Sequence, residues 1–142
     1  LRTRGAAGNW NAGAVHLGPF LIDTIVPYCE MIRLPEETVG LSVMPSWYGD
    51  DRGSGLANFD LLCRAGADGT WTPWLTAATE TQAAFGPYAP VALTPGQTYY
   101  FGCQARDAAG NLEAWPGGDG DTFTRVIFNR AFLLIASRGQ AP

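Results

Sequence analysis

The chain has 142 residues, 46% of them hydrophobic and 15% charged, with a net charge of -4 and with 18 Gly and 10 Pro. That is one domain of chain, long enough to bury a single core without a metal or a dense disulfide net. Nine scattered basic residues against a pI near 4.8 exclude a phosphate-tracking surface for nucleic acid, and apolar runs such as 131–136 fall far short of the ~20 residues of a membrane span.

Every basic residue is Arg. The absence of Lys removes a P-loop phosphate lysine, a Schiff-base lysine and a Lys-Asn isopeptide crosslink. The only His is His16, in the apolar run Ala14-Val15-His16-Leu17, so a triad or a His-ligated zinc site would have to use that residue alone. It reads as a strand residue. Leu1 is not an initiator residue, which makes the chain a processed or partial one.

In chain order, residues 1–26 form an arm with strand-like apolar positions at Val15, Leu17, Phe20 and Ile22. Cys29 lies on a first strand ahead of Leu34-Pro35. Gly and Pro break nearly every window long enough for helix, whereas strand signals recur at 41–48, 57–64, 70–76, 81–85, 97–106 and 122–128. Turn clusters at 49–55 and 66–69 separate them. Short alternating strands at about ten-residue spacing predict an all-β antiparallel two-sheet sandwich. In 57–64, Phe59, Leu61 and Cys63 share the core face. In 97–106, Tyr99, Phe101, Cys103 and Ala105 do so. Trp47 has the size to anchor that core. Pro45, two residues before it, removes a ladder donor from a strand that should be central, so a bulge or incomplete pairing with the first strand is expected there. After 122–128 comes a second strand-like segment, 131–136, that includes Phe132 and Leu134 and is aggregation-prone if left in water.

From Trp47 to Asn111 the residues resemble a bacterial extracellular fibronectin type III domain, an immunoglobulin-like fold. The resemblance rests on Ser46-Trp47-Tyr48-Gly49-Asp50-Asp51 with Gly53-Ser54-Gly55, on Asn58-Phe59-Asp60 and on Trp71-Thr72-Pro73-Trp74-Leu75. It is strongest in Leu93-Thr94-Pro95-Gly96-Gln97-Thr98-Tyr99-Tyr100-Phe101 and Ala105-Arg106-Asp107-Ala108-Ala109-Gly110-Asn111. It implies a seven-stranded sandwich over residues 27–128, used as a spacer, an adhesive unit or a binding module. Residues 1–26 and 129–142 lie outside it as arm and tail. Tyr99 takes the place of a corner tyrosine whose hydroxyl bonds back to the backbone just upstream. The resemblance also implies a Cys29–Cys103 bridge, while the inward-facing pair Cys63 and Cys103 is the alternative. One bridge leaves one thiol over, and an oxidising, extracellular or cell-surface compartment of a bacterium is expected.

The acidic groups Asp50, Asp51, Asp107 and Glu113 fall in two loops at one end of such a sandwich. Their spacing matches no calcium loop, and they read as turn acceptors and as partners of Arg52 or Arg106, with no metal and no cofactor. Trp71, Trp74 and Trp115 could face a polysaccharide, but Trp71 and Trp74 have opposite strand parity. No catalytic residues are assigned. The two apolar ends either fold back on their own domain as additional edge strands or point to a structural subunit that joins neighbouring copies head to tail, one end of each adding a strand to the next. About 25 extended residues reach roughly 80 Å, enough to cross a neighbour. The alternative is a monomeric spacer or a carbohydrate- or protein-binding module cut from a longer surface protein or enzyme.

Overall fold

The computed structural model describes residues 22–128. The expectations for Val15, His16, Leu17, Phe20, Phe132 and Leu134 lie outside the described residues.

Seven strands and no helix make up the described chain: β1 (Tyr28–Met31), β2 (Glu37–Val39), β3 (Trp47–Asp50), β4 (Leu56–Ala65), β5 (Thr72–Ala78), β6 (Thr98–Asp107) and β7 (Thr122–Ile127). β1 and β3 form one sheet. The other has the order β2-β7-β6-β4-β5. Its centre is the antiparallel ladder from Leu56↔Asp107 to Ala65↔Tyr99. The period-2 pattern of both strands aims one face at the small sheet. Phe59, Leu61 and Cys63 from β4 and Tyr99, Phe101, Cys103 and Ala105 from β6 are buried there, and Trp47 from β3 closes the core at 1% exposed.

The arrangement is not wholly antiparallel. β2 runs parallel to β7, from Glu37↔Arg125 to Val39↔Ile127. After β1 the chain crosses to the other sheet within residues 32–36 and keeps its direction, so it meets the free edge of β7 as a parallel neighbour. Leu34 anchors the crossing, its amide donating to Thr122 Oγ1 at 2.9 Å. A three-residue strand with an exposed, partly polar sequence gives no period to read.

Residues 81–85 contribute two isolated bridges, Ser46↔Gln82 and Val43↔Phe85, instead of a continuous strand. Pro45 lies between them with no N–H to offer, and only its carbonyl is used, by the Ala83 amide at 3.3 Å. On the other side the β1 ladder ends at Met31↔Trp47, with one further bond from the Ile32 amide to Ser46 O. Pairing with the first strand thus stops just short of Pro45. Phe85 nevertheless reaches the centre of the core, with ring centroids 4.9 Å from Phe101, 5.2 Å from Trp74 and 5.8 Å from Tyr99.

The Tyr99 hydroxyl closes the turn into β6. It donates to Ala92 O and accepts from the Thr94 amide at 2.7 Å, while Gly96 takes the positive φ of the turn (83°) that a Cβ would disfavour.

Candidate functional site

At one pole three separate segments meet through carboxylates. Asp23 comes from the segment leading into β1, Asp51 from the loop after β3 and Asp107 from the end of β6, and one oxygen from each lies within 4.8 Å of the others. Asp107 is 1% exposed. Its Oδ1 accepts the Asn111 amide and its Oδ2 the Asn111 side-chain amide, both at 2.8 Å. Asn111 Nδ2 also donates to Asp23 O at 2.9 Å, which ties the leading segment to the tight turn after β6. Asp51 Oδ2 accepts from Gly53 and Gly55, and Asp23 takes the amides of Ile25 and Ser54. The Ser54 hydroxyl, then the Ile25 and Ser54 amides, hold the Asp23 carboxyl below the usual carboxylate range.

Hard cations take six to eight oxygens. The pole offers three carboxylates, and most of their oxygens already accept loop amides. Asp51 and Asp107 accept loop amides as turn acceptors, and Asp51 Oδ1 is buried without a hydrogen-bond partner among the described residues. The pairing with Arg106 does not form: that guanidinium reaches Asp60, 3.5 Å away. Asp23 was not visible as a member of the pole, because its partners Ser54 and Asn111 lie 31 and 88 residues away. Glu113 belongs to a different place.

That place is the seam between β1 and β6, which face each other from different sheets. The Cys29–Cys103 disulfide crosses it with Cα atoms 5.9 Å apart. On either side of the bridge a half-buried carboxylate joins the two backbones. Glu113 Oε2 accepts the Ala105 amide at 3.0 Å and the same side chain accepts the Cys29 amide. Asp121 Oδ2 accepts the Cys103 amide at 3.2 Å and its carboxylate also takes the Met31 amide. Burial pushes both carboxyls above their ordinary values, against the opposing pull of those amides. The seam is thus a covalent bridge flanked by two carboxylate staples. Cys63 stays a free thiol at 0% exposed, and burial pushes it up to about 12, which makes it inert packing.

The three Trp residues separate. Trp74 turns into the core, 6.0 Å from Trp47 and 5.8 Å from Phe101. Trp71 and Trp115 meet edge to face at 4.8 Å and 74°, and Trp115 lies against Gly102 where a Cβ would clash. Arg64 is sandwiched between Trp71 (4.9 Å) and Tyr100 (4.7 Å) and reaches Asp119 at 2.6 Å. These contacts clamp the loop before β7 onto the outer face of the larger sheet. At 74° to one another, the Trp71 and Trp115 rings do not form one flat platform. Of the residues expected at an interface, Ile22 alone is described, and it is 82% exposed.

The two poles of the fold differ in what they carry. Asp23 sits beside the Asp107 end of β6, while Val126 and Ile127 pair at the other end: the Val126 amide donates to Gln97 O and Gly40 donates to Ile127 O. Residues 22–128 therefore begin near one end of a ten-residue strand and finish near the other. No protein-family model, curated protein or solved structure matches the chain.

Proposed function

We propose that the chain is an extracellular, fibronectin-type-III-like β-sandwich that serves as a structural part in a linear assembly. The observation that supports this reading is where the described residues begin and end. β6 spans roughly 33 Å at 3.3 Å per residue; Asp23, near the start of the described residues, lies beside its C-terminal end, and Val126, near their close, lies beside its N-terminal end. A part built this way transmits its direction to whatever precedes and follows it. The corner tyrosine, the alternation of β4 and β6 and the disulfide between the sheets support the fibronectin-like reading. The disulfide fits an oxidising compartment.

Assembly by strand exchange between copies is the form of this reading that a specific observation favours: β1 carries a backbone ladder on one edge only. Negative-stain electron microscopy of the undenatured, unreduced native material tests the proposal. Thin linear arrays or fibres with a regular axial repeat are expected. Dispersed single particles from a gene that encodes no further domain would contradict it.

A further inference from the structure

β1 is held in place unlike the strands at the centre of the fold. Its ladder runs only from Tyr28↔Asp50 to Met31↔Trp47, and only Cys29 and Met31 turn into the core. Toward β6 it has no ladder. The amides of Cys29 and Met31 go to the side chains of Glu113 and Asp121, which hold the amides of Ala105 and Cys103 on β6 with the same carboxylates. The Cys29–Cys103 bond crosses the same seam, and Asn111, after β6, donates to the Asp23 and Ile25 carbonyls just ahead of β1. Below β1, residues 32–36 must act as the hinge, giving up the Ile32–Ser46 bond while Leu34 and Glu36 stay bonded to β7. Residues 32–36 cross between the sheets, Ile32 is half exposed, and a cavity of about 370 Å³ lined by Met31, Arg33, Leu34, Asp121 and Phe123 lies beneath them. β2 stays fixed beyond the hinge by its pairing with β7.

We propose that the Cys29–Cys103 disulfide is a redox latch on β1. Closed, it keeps β1 in its own chain; reduced, it lets β1 exchange with β1 of a second copy. This rests on the structural-part reading in taking another copy as the partner. The vacated socket selects that partner chemically. It presents the β3 edge, two carboxylates spaced for alternate amides of one strand, and the Cys103 thiol opposite the position that Cys29 must occupy. A second β1 restores each of these contacts in the same register, which is the condition for a swapped dimer. Opening is a two-electron reduction by a dithiol. The S–S bond breaks, Cys29 and Cys103 each gain a hydrogen at Sγ, and the dithiol becomes a cyclic disulfide. Closing with oxidised glutathione reforms one protein disulfide and releases two molecules of reduced glutathione.

The test mixes equal amounts of unlabelled and nitrogen-15-labelled full chain, reduces them with dithiothreitol at high protein concentration, and reoxidises them with oxidised glutathione. Non-reducing peptide mapping by mass spectrometry then reads the isotope on each side of the bridge. The proposal expects a covalent dimer in which about half of the Cys29–Cys103 peptide pairs carry one light and one heavy partner, with none in an unreduced mixture. It also expects the near-ultraviolet circular dichroism to persist in the reduced protein, since only β1 opens. Same-isotope bridges alone, mixed bridges that run through Cys63, or loss of the near-ultraviolet signal on reduction would each overturn it. A chain that fails this test yet forms linear arrays in the microscope loses the latch and keeps the structural reading.

Discussion

β1 and the β4–β6 pair solve the same problem in two ways. β4 and β6 are held by a long backbone ladder and a continuous buried face, from Phe59 and Leu61 on one strand to Tyr99, Phe101 and Ala105 on the other. β1 has four residues, a short backbone ladder to β3, two inward side chains, two carboxylate staples and one covalent bond. Stability at the centre is spread over many contacts, none of them switchable. At β1 it rests on a short ladder and a few side-chain groups, one of them redox-active. Local opening is drawn from regions of the second kind, where few apolar contacts must break.

The largest expected effect comes from breaking the centre. Phe101→Ala removes a 0% exposed ring that touches Phe85 and Trp74, and should cost about 3–5 kcal/mol in a urea titration. Replacing both Cys29 and Cys103 by Ala should cost on the order of 4 kcal/mol by the chain-entropy argument for a bridge with a sequence separation of 74, with the β4–β6 ladder preserved in the folded fraction. A loss above that range would mean that the bridge also supports the centre. Tyr99→Phe leaves Ala92 O and the Thr94 amide without their partner and should cost about 1–3 kcal/mol, measured by thermal unfolding.

A smaller effect should appear in the pH dependence. Glu113 and Asp121 have folded values raised by burial, so their contribution is fully present below the unfolded values, near 4, and is lost as pH rises through the folded ones. Asp23 works in the opposite sense: its value is lowered, and its contribution is lost as pH falls through the folded value. Unfolding midpoints taken from pH 7 down to pH 4 should therefore carry a stabilising component from the seam, and Glu113→Gln with Asp121→Asn should flatten it. An unchanged profile in that double variant would remove the staples from the account. The smallest effect belongs to Ala77, whose φ of 55° lies in the left-handed region beside the irregular β4–β5 pairing. Ala77→Gly should raise stability by no more than about 1 kcal/mol.

The centre was legible in the sequence because its signal is local. The alternation of Phe59, Leu61 and Cys63, and of Tyr99, Phe101 and Cys103, states which face is buried, and Pro45 marks where pairing must fail. The seam was not legible in the same way. The disulfide pairing came through the family resemblance, while Glu113 read as a turn acceptor at the acidic pole. Its role depends on β1 passing within reach of β6, a relation between residues 74 apart that no period records. The parallel β2 was hidden because its direction is set by a crossing of five residues rather than by its own three. Asp23 escaped for the same reason, since its contacts are made by loops distant in sequence.

The redox latch requires that β1, once its bridge is reduced, open as a unit apart from the β4–β6 centre. Native-state hydrogen exchange of the reduced, dilute protein across low denaturant concentrations tests it most directly. The amides of Cys29 and Met31 should exchange through an opening that is cheap and nearly independent of denaturant, while those of Leu61 and Phe101 should follow the steep dependence of global unfolding. If the β1 amides instead fall on the same steep line as the β4 and β6 amides, β1 opens only when the whole domain does, and the account is wrong.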